Sequence, residues 1–283
     1  MSIIIFDKKS VRQKRTRARA NIEKYDFLMR RATKLIAERL DDVKRDFPSA
    51  LQIGLRGGKI EHPKIGMLFT MEQAPGYGAD FIADEEFLPI KQGNLDLIVS
   101  PLCLHHINDL PGTLLQIRKA LRPDGLFIAA MFGGETLHEL RDCLMNAELD
   151  ISGGISPRVA PFADKQQMGA LMQRAGFALP VVDSEIFTVT YEHMFALCKD
   201  LRGMGETLNV KERAKGFSPR ALFPAAAQLY AERFAEEDGR IPASFEMIFL
   251  LGWAPHDSQQ KPLQPGSAKN RLADALGTKE GKL

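Results

Sequence analysis

A chain of 283 residues is long enough to bury a full core, and 45% apolar with 26% charged residues argues against a disordered or fibrous protein. A net charge of +2 is too small to point to nucleic acid, and no nucleic-acid partner is expected. Cys103, Cys143 and Cys198 show no CxxC spacing and are odd in number, so a disulfide framework or cysteine zinc site is not expected, and no apolar run approaches the roughly 20 residues that span a bilayer.

Lys8, Lys9, Arg12, Lys14, Arg15, Arg17 and Arg19 crowd the beginning, and read as a solvated or cofactor-covering helix face rather than a nucleic-acid arm or transit peptide. Leu28, Ala32, Leu35, Ile36 and Leu40 recur at helical spacing and predict an amphipathic helix over 25–40. Residues 49–54 read as a buried strand running into Gly54, Gly57 and Gly58. Further strands are predicted at 65–69, near Phe81, at 95–99 and at 126–131. A helix over 111–121 stops at the turn Arg122-Pro123-Asp124-Gly125.

After Gly133-Gly134 a helix is expected through Glu148, then a loop over 152–161, a helix over 166–175 and strands over 181–191 and 245–253. Helical stretches over 194–201 and 221–234 separate the last two strands, more than a hairpin needs, and predict a cap. Strand and helix alternation predicts a doubly wound, mostly parallel α/β fold. Its expected division is a basic segment and covering helix over 1–48, a main domain over 49–255 that includes the cap 192–244, and an extended tail over 256–283.

Three clusters fall at the carboxyl ends of predicted strands, where such a sheet holds nucleotide-like ligands. The first is Gln52-Ile53-Gly54-Leu55-Arg56-Gly57-Gly58. The second is Ala83-Asp84-Glu85-Glu86-Phe87-Leu88-Pro89, with Asp84 placed to accept from an adenine amino group or to cap a turn. The third runs from Leu95 through Ser100, His105-His106 and Asn108-Asp109-Leu110-Pro111. With Leu121-Arg122-Pro123-Asp124-Gly125 they resemble the successive motifs of type 11 class I methyltransferases. Phe6-Asp7, Ala130-Met131-Phe132-Gly133-Gly134-Glu135-Thr136-Leu137, Gly203-Met204-Gly205-Glu206 and Gly252-Trp253 resemble one branch of that family, the arginine-hydroxylating assembly factors of respiratory complex I.

That resemblance covers most of residues 6–270. It implies a seven-stranded Rossmann-like methyltransferase sheet with N-terminal helices and a helical insertion before the last strand. It also implies S-adenosylmethionine in the crevice, held by Gly54, Arg56, Gly58, Glu72, Asp84, Glu85, Ser100 and His105. The implied partner is a complex I subunit or assembly intermediate, met by a bacterial cytoplasmic homologue, at the inner face of the membrane if peripherally associated. Methyl transfer to a small molecule or acyl-carrier thioester, and a non-catalytic chaperone with a degenerate cofactor site, are the rival expectations.

The family's first motif carries an acid and a loop glycine where Gln52 and Arg56 stand, so cofactor binding is expected to be weak or lost. Arg56 either repels the sulfonium or binds a carboxylate. Thr70 stands where the ribose-binding acid is expected, with Glu72 just beyond. Glu135, Glu139 and His105 are the catalytic candidates, the two glutamates sharing a helix face that meets either a cationic arginine or solvent. No metal is expected: no histidine begins an H-x-D or H-x-E motif, and adjacent His105 and His106 diverge on extended backbone. Cys103 reads as a small buried residue rather than a nucleophile.

Overall fold

The protein is described by a computed structural model over residues 4–214, 216–260, 267 and 277. The strands in chain order are β1 (Phe47–Ile53), β2 (Ile65–Glu72), β3 (Phe81–Ile82), β4 (Leu95–Pro101), β5 (Leu121–Phe132), β6 (Ala178–Tyr191) and β7 (Ile241–Trp253). The helices are α1 (Lys8–Ala18), α2 (Phe27–Asp41), α3 (Leu110–Ala120), α4 (His138–Ser152), α5 (Lys165–Arg174), α6 (Met194–Met204) and α7 (Leu222–Phe234). The strands form one sheet in the order β3-β2-β1-β4-β5-β7-β6, parallel from β3 to β5, with β7 antiparallel to both its neighbours. The chain runs outward from β1 to β3 and then returns to β4 on the other side of β1. That reversal opens a crevice at the carboxyl ends of β1 and β4.

Both faces of the sheet are covered. Leu28, Ile36, Leu197 and Tyr230 from α2, α6 and α7 pack on one face with Leu97, Ile128 and Phe245. Leu114 and Ile117 of α3 and Met168 of α5 pack on the other with Leu51, Ile98 and Phe127. Strand β5 therefore needs apolar side chains on both sides, and its second half reads as an unbroken apolar run. The fold matches the doubly wound, mostly parallel expectation, including helices between the last two strands.

Two local expectations are corrected. Residues 122–125 are not a turn between helix and strand but a bulge inside β5: Leu95 pairs with Leu121, and the next pairing is Leu97 with Leu126. Asp124 sits there at φ +62°, and its carboxylate binds Arg45 at 2.6 Å. Helix α4 starts at His138, later than the glycine pair suggested, because Glu135 to Leu137 form a turn tied to β7, with the Leu137 amide donating to the Ser244 carbonyl at 2.7 Å. The tail expected over 256–283 lies mostly outside the described residues. Among the described residues no helix is long and apolar enough to cross a membrane.

Candidate functional site

Gln52 projects from β1 beneath the glycine loop and organises it. Its Nε2 donates to the carbonyls of Gly54 and Gly58, both at 2.8 Å, and its Oε1 accepts from the Ile60 amide at 2.8 Å. An amide suits this place because it donates and accepts at once, which a carboxylate does not. Gly54 has φ +95°, and a Cβ there would lie 2.0 Å from Cys103 Sγ. Cys103 fills that space as a buried packing residue, its thiol pushed up to about 12 by burial. At Gly57 a Cβ would lie 2.5 Å from the Met29 carbonyl, so α2 approaches the loop as closely as it does only over glycine.

Arg56 leaves this loop fully buried. One guanidinium nitrogen donates to the Leu102 carbonyl at 2.6 Å, and the other to the Met204 carbonyl at 3.3 Å and to the Glu206 carboxylate. Glu206 reaches it because α6 ends on Gly205 at φ +78°, a left-handed cap that turns the chain back into the protein. Burial alone would raise the Glu206 carboxyl, but Arg56, His105 and His106 hold it well below the usual carboxylate range. Arg56 is thus neutralised by its own protein, and neither expectation for it, repulsion of a sulfonium or capture of a ligand carboxylate, describes its contacts.

His105 and His106 lie on a 3-10 turn, Leu104–His106, rather than on extended backbone. Their rings are 4.5 Å apart, and both face Glu206: His105 Nε2 lies 3.0 Å and His106 Nδ1 3.7 Å from Oε2. Burial lowers the pKa of both imidazoles, His106 the more. The premise that adjacent histidines diverge fails because a turn, unlike a strand, does not alternate its side chains.

A second ion-pair group lies over β2 and β3. Glu72, the last residue of β2, faces the crevice; its carboxylate accepts from the amides of Leu55 at 2.9 Å and Gln73 at 3.0 Å. Thr70, the other residue weighed for the ribose position, instead binds Asp80 at 2.7 Å in the following loop. Arg15 of α1 lies between the acids, 2.7 Å from Glu85 and 3.6 Å from Glu72, with its side chain 1% exposed. The guanidinium stays charged there chiefly through Glu85, against the cost of burial. Lys8 binds Asp84 at 2.9 Å and Glu86 at 3.2 Å. Asn108 holds the start of the segment, accepting from the Ile5 and Phe6 amides at 2.8 and 2.7 Å. Helix α1 therefore docks through a buried cation, Arg15, while Lys9, Arg12 and Arg17 keep a solvated face.

Glu135 and Glu139 are not brought together. Glu135 is exposed on the turn before α4, while Glu139 is buried and bound to Ser244 of β7, accepting from its hydroxyl at 2.5 Å and its amide at 3.2 Å. The shared helix face fails because the helix begins after Glu135. Ser100 is buried at the end of β4 with no hydrogen-bond partner for its hydroxyl. Sequence reasoning placed Arg15 only on a solvated or cofactor-covering face and assigned no role to Glu206. The signal for Glu206 was present in the Gly203-Met204-Gly205-Glu206 motif, but not its destination 101 residues away from His105.

Beside Glu206 opens a cavity of about 430 Å³, lined by Leu140, Val159, Phe162, Phe195, Leu201 and Phe223 among others, with Arg158 and Arg202 also on its wall. Phe162 meets His105 edge to face with centroids 5.9 Å apart, so the cavity and the buried cluster share a wall.

S-adenosylmethionine-dependent enzymes of this fold hold their cofactor in the crevice beyond β1 and β2. Here Arg15 of α1 lies between Glu72 and Glu85, two of the residues expected to line that crevice.

The Methyltransferase domain family matches residues 19–180. The relative named "Arginine-hydroxylase NDUFAF5, mitochondrial" from Danio rerio is 40% identical over 295 residues, covering 99% of this chain and 91% of its own. A "Malonyl-[acyl-carrier protein] O-methyltransferase" from Halorhodospira halophila is 30% identical, covering 88% of this chain and 90% of its own. The crystal structure of the YcgJ protein from Bacillus subtilis shares the fold with a TM-score of 0.54 at 11% identity, covering 80% of this chain and 99% of its own. A motif series, a strand order and a family match that agree place this chain in the methyltransferase domain family, among the relatives that include the arginine-hydroxylases.

Proposed function

We propose that this chain is an enzyme that hydroxylates an arginine side chain of a protein partner. The observation that carries the reading is the cavity beside Glu206. Its apolar walls suit the methylenes of an arginine, and Glu206, held by Arg56 and His105, is the acid among its lining residues. The 40% identity to a relative named arginine-hydroxylase supports the same substrate. Hydroxylation exchanges a C–H bond for C–OH: one atom of dioxygen enters the product, and the other leaves as water with two protons and two electrons from an external reductant.

The cap 192–244 is the substrate-facing part on this reading, since Phe195, Glu206 and Phe223 come from it. Within the segment 1–48, helix α1 covers the crevice of the main domain 49–255. Cofactor binding is weak while α1 is docked, with Gly54, Gly58, Glu72, Asp84, Glu85 and Ser100 around the crevice. The partner is a respiratory complex I subunit or assembly intermediate, met in the bacterial cytoplasm at the inner membrane face, corresponding to the mitochondrial site in the relatives' name.

A second reading, methylation of an acyl-chain carboxyl, draws on Arg158 and Arg202 on the same cavity wall and on the methyltransferase relatives. The deciding experiment incubates the protein, in air with a reductant and S-adenosylmethionine, with candidate partner subunits and with a malonyl-loaded carrier. Mass spectrometry should find an arginine heavier by one oxygen atom. A carrier heavier by one methylene would replace this reading with the second, and a stable unmodified complex with the subunit would leave a chaperone.

A further inference from the structure

The buried cluster beneath the cavity has the composition and spacing of a metal centre. Glu206 Oε2 lies 3.0 Å from His105 Nε2 and 3.7 Å from His106 Nδ1, and one ligand atom from each residue lies within 4.8 Å of the others. Nitrogen and oxygen ligands about 2.0–2.2 Å from one cation stand about 3–3.5 Å from each other, and here the two imidazoles lie 3.0 and 3.7 Å from Glu206 Oε2, so a bound cation draws the set together by a small movement. Two imidazoles and one carboxylate, with further positions open, are a set that first-row divalent metals take.

Independent observations point the same way. His106 Nδ1 is buried, has no hydrogen-bond partner and faces Glu206. A buried polar atom left unpaired is costly unless something else satisfies it. Arg56 engages Glu206 Oε1, which leaves Oε2 to the histidines. The cavity on whose wall Glu206 stands supplies a route in.

We propose that His105, His106 and Glu206 bind a divalent transition metal ion at the inner wall of the cavity. Iron(II) and cobalt(II) suit two imidazoles and a carboxylate. The site does not depend on the arginine reading, because metal binding is read directly and without substrate.

The test adds cobalt(II), and anaerobically iron(II), to the 283-residue chain stripped with a chelator. About one equivalent should bind tightly, with visible cobalt bands of nitrogen and oxygen coordination. His106→Phe, which keeps an aromatic ring against Phe6, should weaken binding by more than about tenfold while circular dichroism stays unchanged. Proton NMR of the wild type supplies a second readout that needs no variant, with paramagnetic shifts on two buried imidazoles. No stoichiometric binding, equal affinity in a folded His106→Phe variant, or shifts confined to the exposed His138, His193 or His256 would each overturn the assignment.

Discussion

Glu206 and Arg56 are each about as buried as a charged side chain becomes, and each keeps the other tolerable. Glu206→Gln leaves a buried guanidinium without its counter-charge and should cost about 3–5 kcal/mol in urea unfolding. Replacing both at once, Arg56→Met with Glu206→Leu, should recover most of that loss, because no isolated charge then remains. A double variant no more stable than Glu206→Gln alone would mean that the pair does not account for the effect. Gln52 makes a different kind of contribution: Gln52→Leu removes three buried hydrogen bonds and strands two carbonyls and an amide, costing about 2–4 kcal/mol. Gln52→Asp should not rescue it, since a carboxylate cannot donate to Gly54 or Gly58.

At the scale of elements, α1 behaves as a cover held by one deep cation and a ring of shallower contacts. Arg15→Ala removes the deep one and leaves Glu72 and Glu85 facing an empty crevice. Hydrogen exchange should then show lost protection over α1 with the sheet unchanged. Titration with S-adenosylmethionine should show stronger binding than in the wild type, because the two acids are released. Protection unchanged in α1 would show that the other contacts of the segment, among them Asn108, Lys8, Ser10 and Lys14, hold the helix without Arg15. Helix α2 is seated differently, by shape: Gly57→Ala would push a methyl into the Met29 backbone and should cost about 1–3 kcal/mol in thermal melts.

The whole molecule should lose stability in acid partly through Glu148, whose carboxyl is held at about 2 by Arg158 and Ser156, below its ordinary 4.5. Its contribution is present in full above pH 4.5 and drains away as the pH falls toward 2, where the folded form also takes up the proton. Glu148→Gln should flatten the fall in melting temperature across that window and lower the melting temperature at neutral pH. The architecture was legible from the sequence because two-sided burial demands continuous apolar runs, as at Leu97–Val99 of β4 and Leu126–Phe132 of β5, and glycine is the residue that tolerates the loop after β1. The motifs at the carboxyl ends of the strands located the crevice for the same reason: chain reversal at β1 places them together. Which side chains meet there is another matter. Sequence alone left Arg15 on a solvated or covering face, Glu139 between a site and solvent, and His105 and His106 in opposite directions. Only the tertiary structure buried Arg15 between two acids, tied Glu139 to β7 and turned both histidines toward Glu206. Local periodicity reports which face of an element is apolar, whereas a buried ion pair is decided by charges that the chain brings together from far apart.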